Sequence, residues 1–154
     1  MAEGEQISMP TFEHFEDEES FGQRQARIIQ LLSFEGEKDL RKSAIESLKE
    51  KPKFSDLSDP TSKDALIEWN RRKEDLLERL EPEDRILGEI HLELERARLH
   101  FDAGNKDEAF ENFDSARYKA LEEYRKNIGN KNMLNLYRYI MNTMGKKFPD
   151  GINE

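Results

Sequence analysis

The stretch Glu83–Phe101, EDRILGEIHLELERARLHF, decides the fold class. Ile90, Leu92 and Leu94 alternate with His91, Glu93 and Glu95, which is the two-residue period of a half-buried strand. Over the longer window, Leu87, Ile90, Leu94, Ala97 and Phe101 recur at three- and four-residue spacing and share one face of a helix. The length of the stretch and its Glu, Leu, Ala and Arg content favour the helix. With that choice made, the chain reads as all-α.

Working outward, Glu81-Pro82 punctuates the start of this helix. The helix before it opens at Asp59-Pro60, with Asp59 as cap and Pro60 in the first position, where a missing N–H is harmless. Leu66, Trp69, Leu76, Leu77 and Leu80 form its face, and Trp69 reads as a core anchor. Two further helices come earlier. The first, 21–34, presents Ala26, Ile29 and Leu32 with Ile28 and Leu31, and Gly36 stops it. The second, 37–51, carries Leu40, Ala44, Ile45 and Leu48 and ends at Pro52, with a loop over 53–59. Downstream, Asp102–Asn105 (DAGN) is a tight turn. A fifth helix, 106–128, follows with Ala109, Phe113, Ala116, Ala120 and Tyr124 on one face. Gly129-Asn130 breaks the chain, and a sixth helix runs to about 144 with Met133, Tyr137, Ile140 and Met144 in register. The expected architecture is a single helical bundle of about six helices over 21–147, with a disordered acidic N-terminal tail (1–20) and a frayed C-terminus (148–154).

The 154 residues are 35% hydrophobic and 38% charged, so the buried core is small or part of the chain stays unfolded. Cysteine is absent, which removes disulfides, thiol nucleophiles and cysteine-rich zinc sites and fits a reducing compartment. No apolar run approaches the roughly 18 residues needed to cross a bilayer, and Met1–Ser20 has no apolar core of a secretory signal. A cytoplasmic location away from membranes is therefore expected. The net charge of -9 opposes general binding to a phosphate backbone. The charge is uneven, however. Residues 1–20 hold seven acids and no Lys or Arg, whereas residues 117–147 hold eight bases against Glu122 and Glu123 alone.

Little in the chain suggests chemistry. Of His14, His91 and His100, only His91 has a carboxylate, Glu95, one helical turn away, and an exposed His–Glu pair with no second ligand cluster makes a poor metal site. Acidic residues are too numerous to nominate a general acid or base. Ser43 and Ser115 lack a partner base at an informative spacing, and no GxxxxGK[ST] or GxGxxG loop occurs. Neither an enzyme, a metal nor a cofactor is expected.

His100–Ala120, HFDAGNKDEAFENFDSARYKA, carries a resemblance. Gly104, Ala109, Phe113 and Ala116 have the spacing of the second half of a tetratricopeptide repeat: the glycine reverses the chain, the alanines admit close helix approach and the aromatic fills the gap. The first half departs from that pattern, with Glu93, Arg96, Ala97 and His100 at the signature positions. Residues 83–144 are also similar in helix order to a microtubule-interacting-and-transport three-helix bundle. Both resemblances imply a helical surface that binds other proteins.

The expected function is accordingly a non-catalytic helical protein–protein interaction module or small adaptor. The candidate binding residues are Tyr118, Leu121, Arg125, Leu136, Arg138 and Tyr139, since Tyr and Arg are enriched in interface hot spots. An acidic or helical segment of another protein, or the chain's own Phe12–Glu19 stretch (FEHFEDEE), complements them in sign. The alternative is a nucleic-acid-associated accessory protein using the basic C-terminal helices, where Arg117, Lys119, Arg125, Lys126 and Arg138 interleave with tyrosines. Bases at helix C-termini also arise as ordinary compensation of the helix dipole.

Overall fold

The computed structural model describes residues 16–50 and 65–149. Among these the protein is all-α, with six helices: α1 Glu18–Leu31, α2 Glu37–Glu50, α3 Ala65–Glu78, α4 Pro82–Asp102, α5 Lys106–Lys126 and α6 Lys131–Lys147. The Asp59-Pro60 start expected for the third helix lies outside the described residues, as do residues 1–15.

α4 is the central element and is buried on two faces. Leu87, Ile90, Leu94 and Ala97 enter the larger core with Phe21, Ile28 and Leu32 from α1 and its C-cap, the small-and-aromatic face of α5, and Met133, Leu136, Ile140 and Met144 of α6. Leu92 and Leu99 enter a second core with Ala44 and Leu48 of α2 and Leu66 and Trp69 of α3. The strand-like alternation of residues 90–94 is thus two helical stripes superposed, the pattern of a helix enclosed on both sides. Gly88, inside α4, keeps this packing tight: a Cβ there would lie 2.5 Å from Leu80 Cδ1 and 2.8 Å from Leu77 Cδ1.

The α4–α5 hairpin turns at Gly104, whose φ of 88° is the left-handed conformation that favours glycine. Ala109, Phe113, Ala116 and Ala120 are fully buried beyond it, as their spacing predicts. Asn130 caps α6 by accepting from Met133 N at 3.2 Å.

Several boundaries and faces differ from the sequence expectation. Residues 16–20, expected to belong to the disordered tail, are ordered, and α1 begins at Glu18. Asp17 accepts a hydrogen bond from Ser20 N at 2.8 Å and so caps α1, and Asn132 Nδ2 donates to the Glu16 carbonyl at 2.7 Å. Phe148, expected at the start of a frayed end, is instead buried, with edge-on contacts to Phe101, Phe110 and Phe113 at ring separations of 5.8, 5.4 and 6.1 Å. α1 is rotated from its expected face: Phe21 and Ile28 are buried with Leu32, while Ala26, Ile29 and Leu31 are exposed.

Two buried ionic contacts pin these helices together. Asp84 near the start of α4 is reached by Arg24 Nη1 and Arg27 Nη2 of α1, each at 2.9 Å. Lys73 of α3 is fully buried, although it falls on the apolar stripe between Trp69 and Leu76. Its ammonium donates to the Leu32 carbonyl at 2.5 Å and meets Glu37 Oε2 at 2.7 Å and Glu95 Oε1 at 2.9 Å. It also lies 5.7 Å from the ring centroids of Phe34 and of Trp69. Three donors with three oxygen acceptors leave no N–H of this cation unmet.

Candidate protein-binding cleft

α1 carries two adjacent apolar stripes but buries only one. Phe21, Ile28 and Leu32 grip the core, which leaves Gly22, Ala26 and Ile29 beside them as one wall of a cleft of about 580 Å³. The opposite wall is α6, where Asn132, Asn135, Leu136 and Tyr139 fall at i, i+3, i+4 and i+7 on one helical face. The floor is α4, through His91, Leu94 and Arg98. The apolar rim is open to solvent: Ile29 is 43% exposed and Tyr139 54%. A concavity of this size with an apolar rim is the default place for a ligand or partner to bind.

The polar lining consists of Glu18, Gln25, His91, Arg98, Asn132 and Asn135. Arg98 is half-buried on the floor, where its charge acts on both Glu95 and His91. His91, expected on an exposed surface with Glu95, is buried, and the two side chains have separate neighbours: Glu95 binds Lys73, while His91 Nε2 lies 3.5 Å from Gln25 Nε2 of α1. Burial, with the nearby positive charge of Arg98, lowers the His91 pKa to about 4, so the imidazole is neutral at pH 7 and accepts from the Gln25 amide. His100 is likewise lowered to about 4 by burial, 3.4 Å from Asn105 Nδ2. Among the described residues no group of three or more His, Asp or Glu side chains is placed to hold a metal ion, and no helix is long and apolar enough to cross a membrane.

These histidines make the fold acid-sensitive. Their folded pKa values lie below the unfolded value of 6.5, so the unfolded chain binds more protons between pH 6.5 and about 4, and stability falls as pH drops through that window. Each contributes a slope of at most about 1.4 kcal/mol per pH unit. Glu95, raised by burial against the pull of Lys73, acts with the opposite sign, its contribution being lost as pH rises above 4.5. Melting curves from pH 7 to 4 are expected to show a falling midpoint that is flatter in His91→Gln. An unchanged slope in that variant would mean that His91 titrates freely in the folded protein.

The six sequence-predicted binding residues are divided by the structure. Leu136 and Tyr139 line the cleft. Arg138 is exposed beside them on α6, and Tyr118, Leu121 and Arg125 lie on α5 outside the cleft. Tyr118 is exposed, and Arg125 is paired with Glu122 at 3.5 Å. Much of the basic C-terminal third is spent inside the molecule. Arg117 holds Asp114 at 2.8 Å, Lys119 approaches Glu89 at 3.9 Å, Lys126 holds Glu123 at 3.2 Å, and Lys147 sits 4.3 Å over the Phe101 ring. Arg125, Lys126, Lys146 and Lys147 also fall in the last turns of α5 and α6, where they complement the helix dipole.

The α1 contribution to the cleft was missed because Ala26 and Ile29 read as core residues. The available signal was that α1 has more apolar positions than one interface needs, with Phe21, Ile28 and Leu32 forming a stripe of their own.

Comparison of the chain with known protein families, characterised proteins and solved structures returns no match.

Proposed function

We propose that this protein is a non-catalytic helical interaction module that takes a segment of another protein into the cleft between α1, α4 and α6. The observation that carries this reading is an open apolar rim, Ile29 and Tyr139, over a floor that carries the Arg98 guanidinium. A helix laid in a groove supplies apolar anchors at i, i+3 and i+4 spacing, and a carboxylate on it would meet Arg98 in a partly desolvated setting where such a bond is strong. The hairpin resemblance around Gly104 and Phe113 agrees with a binding role, and the neutral His91 suits a site that closes over apolar surface. A cytoplasmic setting agrees with the absence of cysteine.

The class of partner is tested by capture on immobilised full-length protein at physiological salt, with mass spectrometry and with or without nuclease. Capture of a defined protein that survives nuclease is expected. Nuclease-sensitive capture, falling steeply with salt, would replace this reading with the nucleic-acid alternative.

A further inference from the structure

α1 forms one wall of the cleft and is attached unevenly along its length. Its C-terminal end is fixed: Ile28 and Leu32 are fully buried, and the Leu32 carbonyl accepts from the Lys73 ammonium at 2.5 Å. The preceding part, 18–27, buries Phe21 alone, and the helix rests chiefly on α4. Polar contacts supply the rest of its hold. Arg24 Nη1 and Arg27 Nη2 each take one oxygen of Asp84 at 2.9 Å, and Gln25 meets His91. Asn132 of α6 donates to the Glu16 carbonyl at 2.7 Å just before the helix begins. Glu18, Phe21, Gly22, Gln25 and Ala26, the cleft residues of α1 other than Ile29, all belong to this part.

We infer that residues 18–27 are a hinged wall of the cleft, latched to α4 at Asp84 and pivoting on Ile28 and Leu32. This rests on the proposed binding role of the cleft for its use and adds the regulation of that site. Two physical points place the movement here. Elements with few buried apolar contacts open at the least free energy, and one aromatic ring is a small anchor for this length of helix. The latch is also one that water can replace. The Asp84 side chain is 6% exposed when held, but that of Arg27 is already 57% exposed, and all three charges are hydrated on opening. The α4–α5 hairpin has no such substitute, because Phe113 and its alanine neighbours lose apolar burial outright. Opening carries Gly22 and Ala26 away from Leu94 and Leu136, so the cleft widens to admit a bulkier segment than it holds when latched.

Amide hydrogen exchange on the full-length protein tests this without any partner. Amides of 22–27 are expected to exchange about tenfold or more faster than those of Phe113 and Ala116. Asp84→Asn should speed exchange over 22–27 by about tenfold again, the effect of losing hydrogen bonds to a charged group, and leave Phe113 and Ala116 nearly unchanged. Arg27→Gln, at a largely exposed side chain, should give the same pattern at smaller size, and it decides the matter if Asp84→Asn does not fold. Protection of 22–27 equal to that of α5, acceleration shared by both helices, or no response to either variant would each overturn the inference. Failure here leaves partner capture untouched, whereas failure of the cleft as a binding site shows as capture that is indifferent to Ile29→Asp with Tyr139→Asp. The two failures are therefore separable.

Discussion

Lys73→Ala is expected to destabilise the protein by about 3–5 kcal/mol, the usual consequence of removing one member of a buried ion pair. The ammonium joins the α1–α2 connection through Leu32 and Glu37, its own helix α3, and α4 through Glu95. Its removal leaves the Glu95 carboxylate without its cation in a site where burial already raises its pKa and the charge of Glu37 adds to that rise. The loss should therefore be larger at pH 7 than near pH 5, since protonation relieves Glu95. Glu37, with 19% side-chain exposure against 22% for Glu95, loses the same cation. An apolar replacement of the cation and one of its two carboxylates, Lys73→Met with Glu95→Leu, should lose less than Lys73→Ala. Chemical denaturation of the three proteins at both pH values measures this. A single-variant loss below about 1 kcal/mol, as for an exposed pair, would place the Lys73 ammonium in solvent.

Phe113→Ala is expected to cost about 3–5 kcal/mol, as for other fully buried aromatics. Phe113 is enclosed in the larger core, and its ring meets Phe148, whose ring also meets Phe101 and Phe110. The deletion therefore opens a void at the point where α4, α5 and the residue after α6 converge. Because Phe113 and Phe148 touch, their alanine substitutions should not be additive. Denaturation of the single and double variants reads both effects. A loss below about 1 kcal/mol would mean that the ring at 113 faces solvent.

The helical class and most of the core were legible because helical periodicity reports apolar faces directly. The α5 stripe of Ala109, Phe113, Ala116 and Ala120 is the clearest case, being compact, single-faced and introduced by Gly104. Periodicity is less informative where a helix has two apolar stripes. In α4 both are buried, which imitated a strand at Ile90–Leu94. In α1 only one is buried, which hid the cleft wall at Gly22, Ala26 and Ile29. Lys73 was missed because its residue type outweighed its position, although 66, 69, 73, 76 and 80 follow the spacing of a core stripe. Leu136 and Tyr139, expected as binding residues from α6 alone, line the cleft, but the face opposite them belongs to a helix about 110 residues earlier in the chain, a pairing that no local pattern records.

The cleft, rather than the basic α5 face, is proposed to bind the partner. It is tested most directly by partner capture paired with a melting curve for two variants, Ile29→Asp with Tyr139→Asp, and Arg125→Glu with Arg138→Glu. All four positions are exposed, so both proteins should melt close to the native chain. The cleft variant is expected to lose capture by about tenfold or more, the scale of a hot-spot loss, and the charge-reversed variant to lose less. Full capture by a folded cleft variant, with loss in the Arg125 and Arg138 variant, would contradict the account and move the binding surface to the basic face.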